Sequence, residues 1–283
     1  MIDWWLNLHP YQTYPFLFAA LAGCVLLSRG IRALEPNIEA LKSGAVNIIH
    51  YNITGTLYAA SVGVLVVVNT AYAKLGLPEV PLEFWQGQPF WVTALAVLLV
   101  YDFCYYWIHR LTHASRWLWP LHAVHHSERH MHFLSSLRGH FLEWLLIYAM
   151  LIVMMTWLGL SIVSVATIYL IRELSQFYTH SNINWNHGPL RYVLVSPRMH
   201  RWHHVDLPEA YDKNFATIFS FIDVLFGTYY NPRPSHDLPT GVSELPSNDL
   251  LKLLTHPFME WGRLAKEIWG SKEPADAAQL SVE

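Results

Sequence analysis

Three histidine groups set the chemistry open to this chain. His109-x-x-x-His113 is followed by His122-x-x-His125-His126, and the second spacing returns as His200-x-x-His203-His204. The stretch from Trp107 to His140 alone carries eight of the 17 histidines. On a helix, residues three and four apart share a face, so each group throws two or three imidazoles into one small volume. In a helical His-x-x-His-His the second and third rings project about 60° and about 40° to either side of the first. One triplet can therefore serve two metal ions, and two facing triplets can enclose a pair. His109 and His113 would close the cage, with His180 as a further ligand. Nine imidazoles are too many for one tetrahedral zinc, so two ions is the economical reading. Imidazole suits zinc, copper, iron and nickel, and ligand softness does not choose among them.

The remaining candidates are weaker. His9, His50, His236 and His256 stand alone and read as interfacial or hydrogen-bonding residues, and His130 and His132 as surface or supporting ones. His140 and His187 stand between ligand and supporting roles. Asp102, seven residues before His109 and on the same helix face, is expected to bond a ligand imidazole, because a carboxylate in an apolar helix needs a partner. Glu143 and Glu173 can do the same, or pair with Arg138 and Arg172. Cys24 and Cys104 both lie in apolar runs, which argues against a disulfide framework or a cysteine zinc site. There is no Ser–His–Asp arrangement, no glycine-rich phosphate loop and no basic stripe suited to nucleic acid.

The elements that must position the histidines read as membrane spans. Hydrophobic residues make up 53% of the chain and charged ones 14%, against roughly 25% charged in an ordinary soluble domain. The 13 Trp, 15 Tyr and 13 Phe suit membrane interfaces. Apolar runs fall at Phe16–Leu27, about Ala45–Ala73, Phe90–Ile108, about Phe141–Leu158, and from Ser161 towards His180, with Gly159 as a tight break. The N-terminus carries Asp3 and lacks the basic opening of a cleaved signal peptide. If the segment after the first run is cytoplasmic, Lys74 alone of the 18 Lys and Arg faces outward; Arg172 lies inside the fifth run, and the other 16 are cytoplasmic. That topology delivers all three histidine groups and His180 to one membrane face. Ser196-Pro197 and Pro120 read as helix starts, so each triplet is expected on a short helix against the spans.

The fold expected is an all-α integral membrane protein with about four to five transmembrane or re-entrant helices. A cytoplasmic histidine-rich helical cap would hold the dimetal site. Residues 1–90 form the N-terminal helices and connections, 91–235 the catalytic domain, and 236–283 a cytoplasmic tail that is polar beyond about Ser271.

The residues also resemble a known family. Asp102…Tyr106-Trp107-x-His109-Arg110-x-x-His113, Leu121-His122-x-x-His125-His126-Ser127 and Ser196-Pro197-x-x-His200-Arg201-x-His203-His204 resemble the fatty acid hydroxylase/sterol desaturase superfamily. The likeness extends over roughly residues 95–230, to Asn214-Phe215 and Asp223-x-x-Phe226-Gly227-Thr228. It implies a membrane-bound, non-haem di-iron enzyme that uses O2 to hydroxylate or desaturate a lipid, with zinc able to replace iron in purified protein. The metal ligands would be His109, His113, His122, His125, His126, His180, His200, His203 and His204. Some members carry another histidine where this chain has Asn184, so Asn184 through water, or His187, is expected to complete the shell. Electrons would come from a separate ferredoxin or cytochrome b5 type donor and its reductase. The lipid chain is expected between the third and fourth spans. Two readings compete: a metal-transport protein, which needs ionisable residues lining mid-membrane, and a bis-histidine haem protein, which needs single histidines on facing spans.

Overall fold

The fold is that of a computed structural model, which describes residues 38–160, 162–232, 235 and 238–270, with the backbone alone over 162–170. Among these residues it is helical throughout, with one isolated bridge between Val205 and Thr240 in place of any strand. The first expected span and the polar end of the chain lie outside the described residues.

The second apolar run forms two helices, α1 (Ile38–Ser61) and α2 (Gly63–Lys74), bent by 41° at Val62. A serine–glycine pair flanks the bend, and the Ser61 hydroxyl donates back to the Leu57 carbonyl at 2.7 Å. Both features kink helices. A short α3 (Leu82–Gln86) leads to α4 (Phe90–Ala114), which starts after Pro89. The third run was expected to stop at Ile108, yet α4 continues six residues further, to Ala114. His109 and His113 therefore stand on the same rigid rod as the apolar segment.

The fourth run is α6 (Phe141–Trp157) and the fifth is α7 (Ile162–His180), with the first triplet on α5 (Trp119–His126) ahead of them. Gly159 makes the break between α6 and α7 with φ of 62°, and a Cβ there would collide with the Val80 carbonyl. The second triplet lies on α8 (Pro197–His204), followed by the short α9 (Phe221–Leu225) and by α10 (Leu250–Gly270). Residues expected as a tail thus include α10, which packs on α5 and α1 and buries Leu253 and Leu264.

The main apolar core lies between α4 and α6. Val97, Tyr101, Tyr105 and Ile108 meet Ile147, Leu151 and Met155, each set recurring every three or four residues as a helix face requires. These side chains fill the seam where a lipid chain was expected, so that seam is closed. Other faces are apolar and open: Val64, Val66 and Val67 of α2, and Phe90 and Trp91 at the start of α4, are exposed. By length and composition α4 can cross a membrane, as can α1 and α2 if they form one bent span; α6 is a shorter apolar helix of 17 residues.

Candidate metal centre

The fold brings all nine histidines of the expected ligand set together, in two groups. His109, His113, His122, His126 and His203 form one, and His125, His180, His200 and His204 form the other; within each group the ligating nitrogens lie within 4.8 Å of one another. Each triplet divides between the groups as its helical spacing dictates. His122 and His126, four apart on α5, go to the first group while His125 turns to the second. On α8 the pattern is reversed: His200 and His204 join the second group and His203 the first. The groups abut, with the rings of His126 and His204 stacked at 4.5 Å and those of His125 and His204 4.6 Å apart.

Local signals place each helix. Ser196 caps α8, its hydroxyl accepting from Met199 N at 3.2 Å with Pro197 in the first turn. α5 has Pro120 in its first turn and no side-chain cap. His180 is the last residue of α7.

The proton positions argue for bound cations. His109 Nδ1 donates to the Phe215 carbonyl at 2.7 Å, and His203 Nδ1 to the Lys213 carbonyl at 2.7 Å. His125 Nδ1 donates to the Arg138 carbonyl, and His180 Nδ1 to the Gln176 carbonyl, each at 2.8 Å. His122 Nδ1 donates to the Glu143 carboxylate at 2.6 Å. A carbonyl only accepts, so in His109, His203, His125 and His180 the proton sits on Nδ1 and Nε2 presents a lone pair. The lone pairs of His125 and His180 face one another 3.1 Å apart, and the His109 lone pair meets the His122 Nε2 at 2.8 Å. Two acceptors at that distance repel unless a cation lies between them. His113 Nε2 and both nitrogens of His204 are buried without a hydrogen-bond partner. The donor set therefore fits two metal ions, one per group.

Burial, then the neighbouring imidazoles, holds His122, His126, His203 and His204 well below the ordinary histidine range. His125 is lowered to about 4, by burial and then by nearby Arg138 against the pull of its carbonyl bond, and His200 to about 3, by burial and then by His125. The rings are thus neutral near pH 7, the form that binds metal.

The four further candidates stand outside both groups. Asp102 was expected to bond an imidazole, but its carboxylate turns to the chain at 217–219, accepting Thr217 N at 2.8 Å and Phe219 N at 2.6 Å. Asn184 is exposed at a surface turn. His187, with φ of 61°, bonds the Tyr178 hydroxyl at 2.6 Å. His140 caps α6, with Leu142 N 3.3 Å from its Nδ1 and the Leu254 carbonyl 3.3 Å from its Nε2. Of the acidic alternatives, Glu143 reaches His122, and Glu173 pairs with its neighbour Arg172.

Several supporting residues lie beyond the sequence reading. The carbonyls of Arg138, Gln176, Lys213 and Phe215 leave no sequence signal, because every residue has one. Arg138 itself is buried beside Glu128 at 3.1 Å and donates to Asn47 and Ser127. Ser43 and Asn47, four residues apart and so on one face of α1, were the available clue to that network.

Fold and site together define a protein that is helical over its described residues, with at least one helix long and apolar enough to cross a membrane and a histidine cage suited to metal. The sequence model of the fatty acid hydroxylase family matches residues 94–228, so that segment is similar to a fatty acid hydroxylase domain. It is 29% identical to an ornithine lipid hydroxylase from Rhizobium tropici over 77% of this chain and 66% of that protein. It is 35% identical to an alkylglycerol monooxygenase from Danio rerio over 61% of this chain and 38% of that one. A putative methylsterol monooxygenase from Dictyostelium discoideum is 23% identical over 61% of this chain and 62% of its own. The chain thus spans well under half the length of the alkylglycerol monooxygenase. No solved structure matches.

Proposed function

We propose that the nine imidazoles hold two iron ions, five on one and four on the other, in a membrane-bound lipid hydroxylase. The reaction is R–H + O2 + 2e⁻ + 2H⁺ → R–OH + H2O, with electrons from a separate ferredoxin or cytochrome b5 type donor and its reductase. The observation that carries this reading is the close approach of Nε2 atoms within two abutting groups. Bound iron supplies the reductive activation of O2, which no amino-acid side chain can perform.

The protein's own residues hold and orient. Backbone carbonyls and Glu143 fix the tautomer and the ring plane of five ligands, as outer partners of metal-bound histidines do. The packed seam of α4 and α6 keeps water from one side of the centre. The apolar runs are read as a multi-pass membrane domain with the cage on the cytoplasmic side, where 16 of the 18 Lys and Arg would lie. The relatives are named as an ornithine lipid hydroxylase, an alkylglycerol monooxygenase and a putative methylsterol monooxygenase, which favours hydroxylation over desaturation and a lipid as substrate. Residues 91–235 are read as the catalytic domain and residues 1–90 as its membrane anchor.

Purified full-length protein loaded anaerobically with ferrous iron should hold two irons per chain and show no Soret band. Lipidomics of a host with and without the gene should then reveal a lipid differing by one oxygen atom. A Soret band would sink the di-iron reading. A lipidome without any oxygen-shifted species would sink the hydroxylase.

A further inference from the structure

Five consecutive backbone N–H groups, from Phe215 to Phe219, lie outside any helix, and two buried carboxylates collect all of them. Asp223 Oδ1 accepts from Phe215 N at 2.7 Å and Oδ2 from Ala216 N at 2.9 Å. Asp102 accepts from Thr217 N at 2.8 Å and Phe219 N at 2.6 Å, and shares Ile218 N between its oxygens at 3.2 Å each. The Thr228 hydroxyl donates to Asp223 at 2.7 Å and the Thr217 hydroxyl to Asp102 at 2.8 Å. Both carboxylates are 0% exposed, and among the described residues neither has a cationic partner. Burying two such groups is costly, and peptide N–H groups with two threonine hydroxyls offset it here. An arrangement that expensive holds a short loop in one shape.

The other side of that loop faces the first histidine group. Its Lys213 and Phe215 carbonyls accept from His203 and His109. The Phe215 ring packs at 5.4 Å from His109, 5.2 Å from His113 and 5.9 Å from His203. Asn214, with φ of 60°, braces the loop by donating to the Met199 carbonyl on α8 at 2.9 Å. The loop touches three of the five imidazoles in the first group. The second group takes its supports from Arg138 and Gln176.

We infer that Asp102 and Asp223 are positioning residues for the five-histidine metal site: they fix the loop that sets the tautomers of His109 and His203 and packs Phe215 against His113. This rests on the reading that each histidine group holds a metal. Asp102 lies on α4 and Asp223 on α9, so the device also ties the membrane helix to the cap.

The test uses full-length protein in detergent, loaded anaerobically with ferrous iron. Readouts are iron per chain, release to a chelator, and the absorption spectrum against His109→Ala and His180→Ala as references for the two sites. Asp223→Asn and Asp102→Asn keep the shape but turn an amide N–H2 towards peptide N–H groups. Each should weaken the five-histidine site by about 10- to 100-fold, leaving about one iron per chain and a spectrum like that of His109→Ala. Thr228→Val removes a single donor to Asp223 and should speed iron release from that site several-fold, with release from the other unchanged. If an asparagine variant fails to fold, Thr228→Val decides. Wild-type release from both sites, or equal acceleration at both in a folded variant, overturns the inference. A wild-type protein that binds fewer than two irons would instead overturn the dimetal reading beneath it.

Discussion

In the five-histidine group, His109 and His203 hand their Nδ1 protons to a loop held by two aspartates, and His122 hands its own to a carboxylate on a neighbouring helix. In the four-histidine group, His180 uses the carbonyl of Gln176 one turn back on its own helix, and His125 uses that of Arg138. The same sequence pattern, His-x-x-His-His, feeds both groups, yet the supports differ in kind. One half rests on buried anions held by peptide groups. The other rests on a helix end and on a backbone carbonyl carried by a buried arginine. Each half can therefore be loosened without the other.

The largest effects should come from the ligands themselves. His203→Ala and His204→Ala alter adjacent residues that belong to different groups. Each should cost about one iron and lower lipid oxidation by more than ~100-fold, but the residual iron spectra should differ. Identical residual spectra would break the division into two groups.

Next in size is Glu128→Gln. Glu128 and Arg138 are both 0% exposed at the side chain and lie 3.1 Å apart, so losing the acid strands a buried cation. Breaking such a pair costs about 3–5 kcal/mol. Because the Arg138 carbonyl orients His125, chelator-accessible iron should appear first in the four-histidine group, measured beside chemical denaturation.

Glu143→Gln should act on the opposite half. It replaces the carboxyl group that lies 2.6 Å from His122 Nδ1, and outer partners of metal ligands typically matter by 10- to 100-fold. Release kinetics should show the five-histidine site weakened alone.

Acid should strip both halves. Burial lowers His125 to about 4 and His200 to about 3 from an ordinary value of 6.5. The unfolded chain therefore binds more protons than the folded one between those values, and stability falls as pH drops below 6.5. Burial works against Glu128 ionising, but Arg138 and Ser43 hold it below the ordinary carboxylate range, which adds to the loss at lower pH. Asp223, raised to about 6 by burial, works the other way between its ordinary 3.8 and 6. Iron content after dialysis across pH 7 to about 4 should fall steadily. As a reference, Arg116→Ala removes an exposed pair with Glu267 and should change stability by less than ~1 kcal/mol, with both sites intact.

Much of this was legible in the chain itself. Histidine spacing named eight of the imidazoles, because three- and four-residue steps on a helix fix which rings share a face, and the end of the fifth apolar run added His180. The apolar runs gave the helices that carry them, and Ser196-Pro197 gave the start of α8. Local rules failed where the partner was distant. Asp102 was expected to meet an imidazole on its own helix face, and it meets backbone 115 residues away at Thr217 instead. Asn184 stands where some members of the resembled family carry a histidine, with His187 as the substitute, but the chain after α7 keeps both out of the two groups. The lipid path assigned to the α4–α6 seam is closed by side chains that follow the ordinary helical pattern.

What the sequence determined by itself is the chemistry: which side chains can bind metal, and that there are enough for two ions. How those nine divide into five and four, and which half leans on which support, was decided only by the tertiary structure. Ligand identity is carried by side chains, each written in the sequence. The supports are mainly peptide carbonyls and N–H groups, identical at every position, and only the folded path of the chain chooses which of them meet His109, His125, His180 and His203.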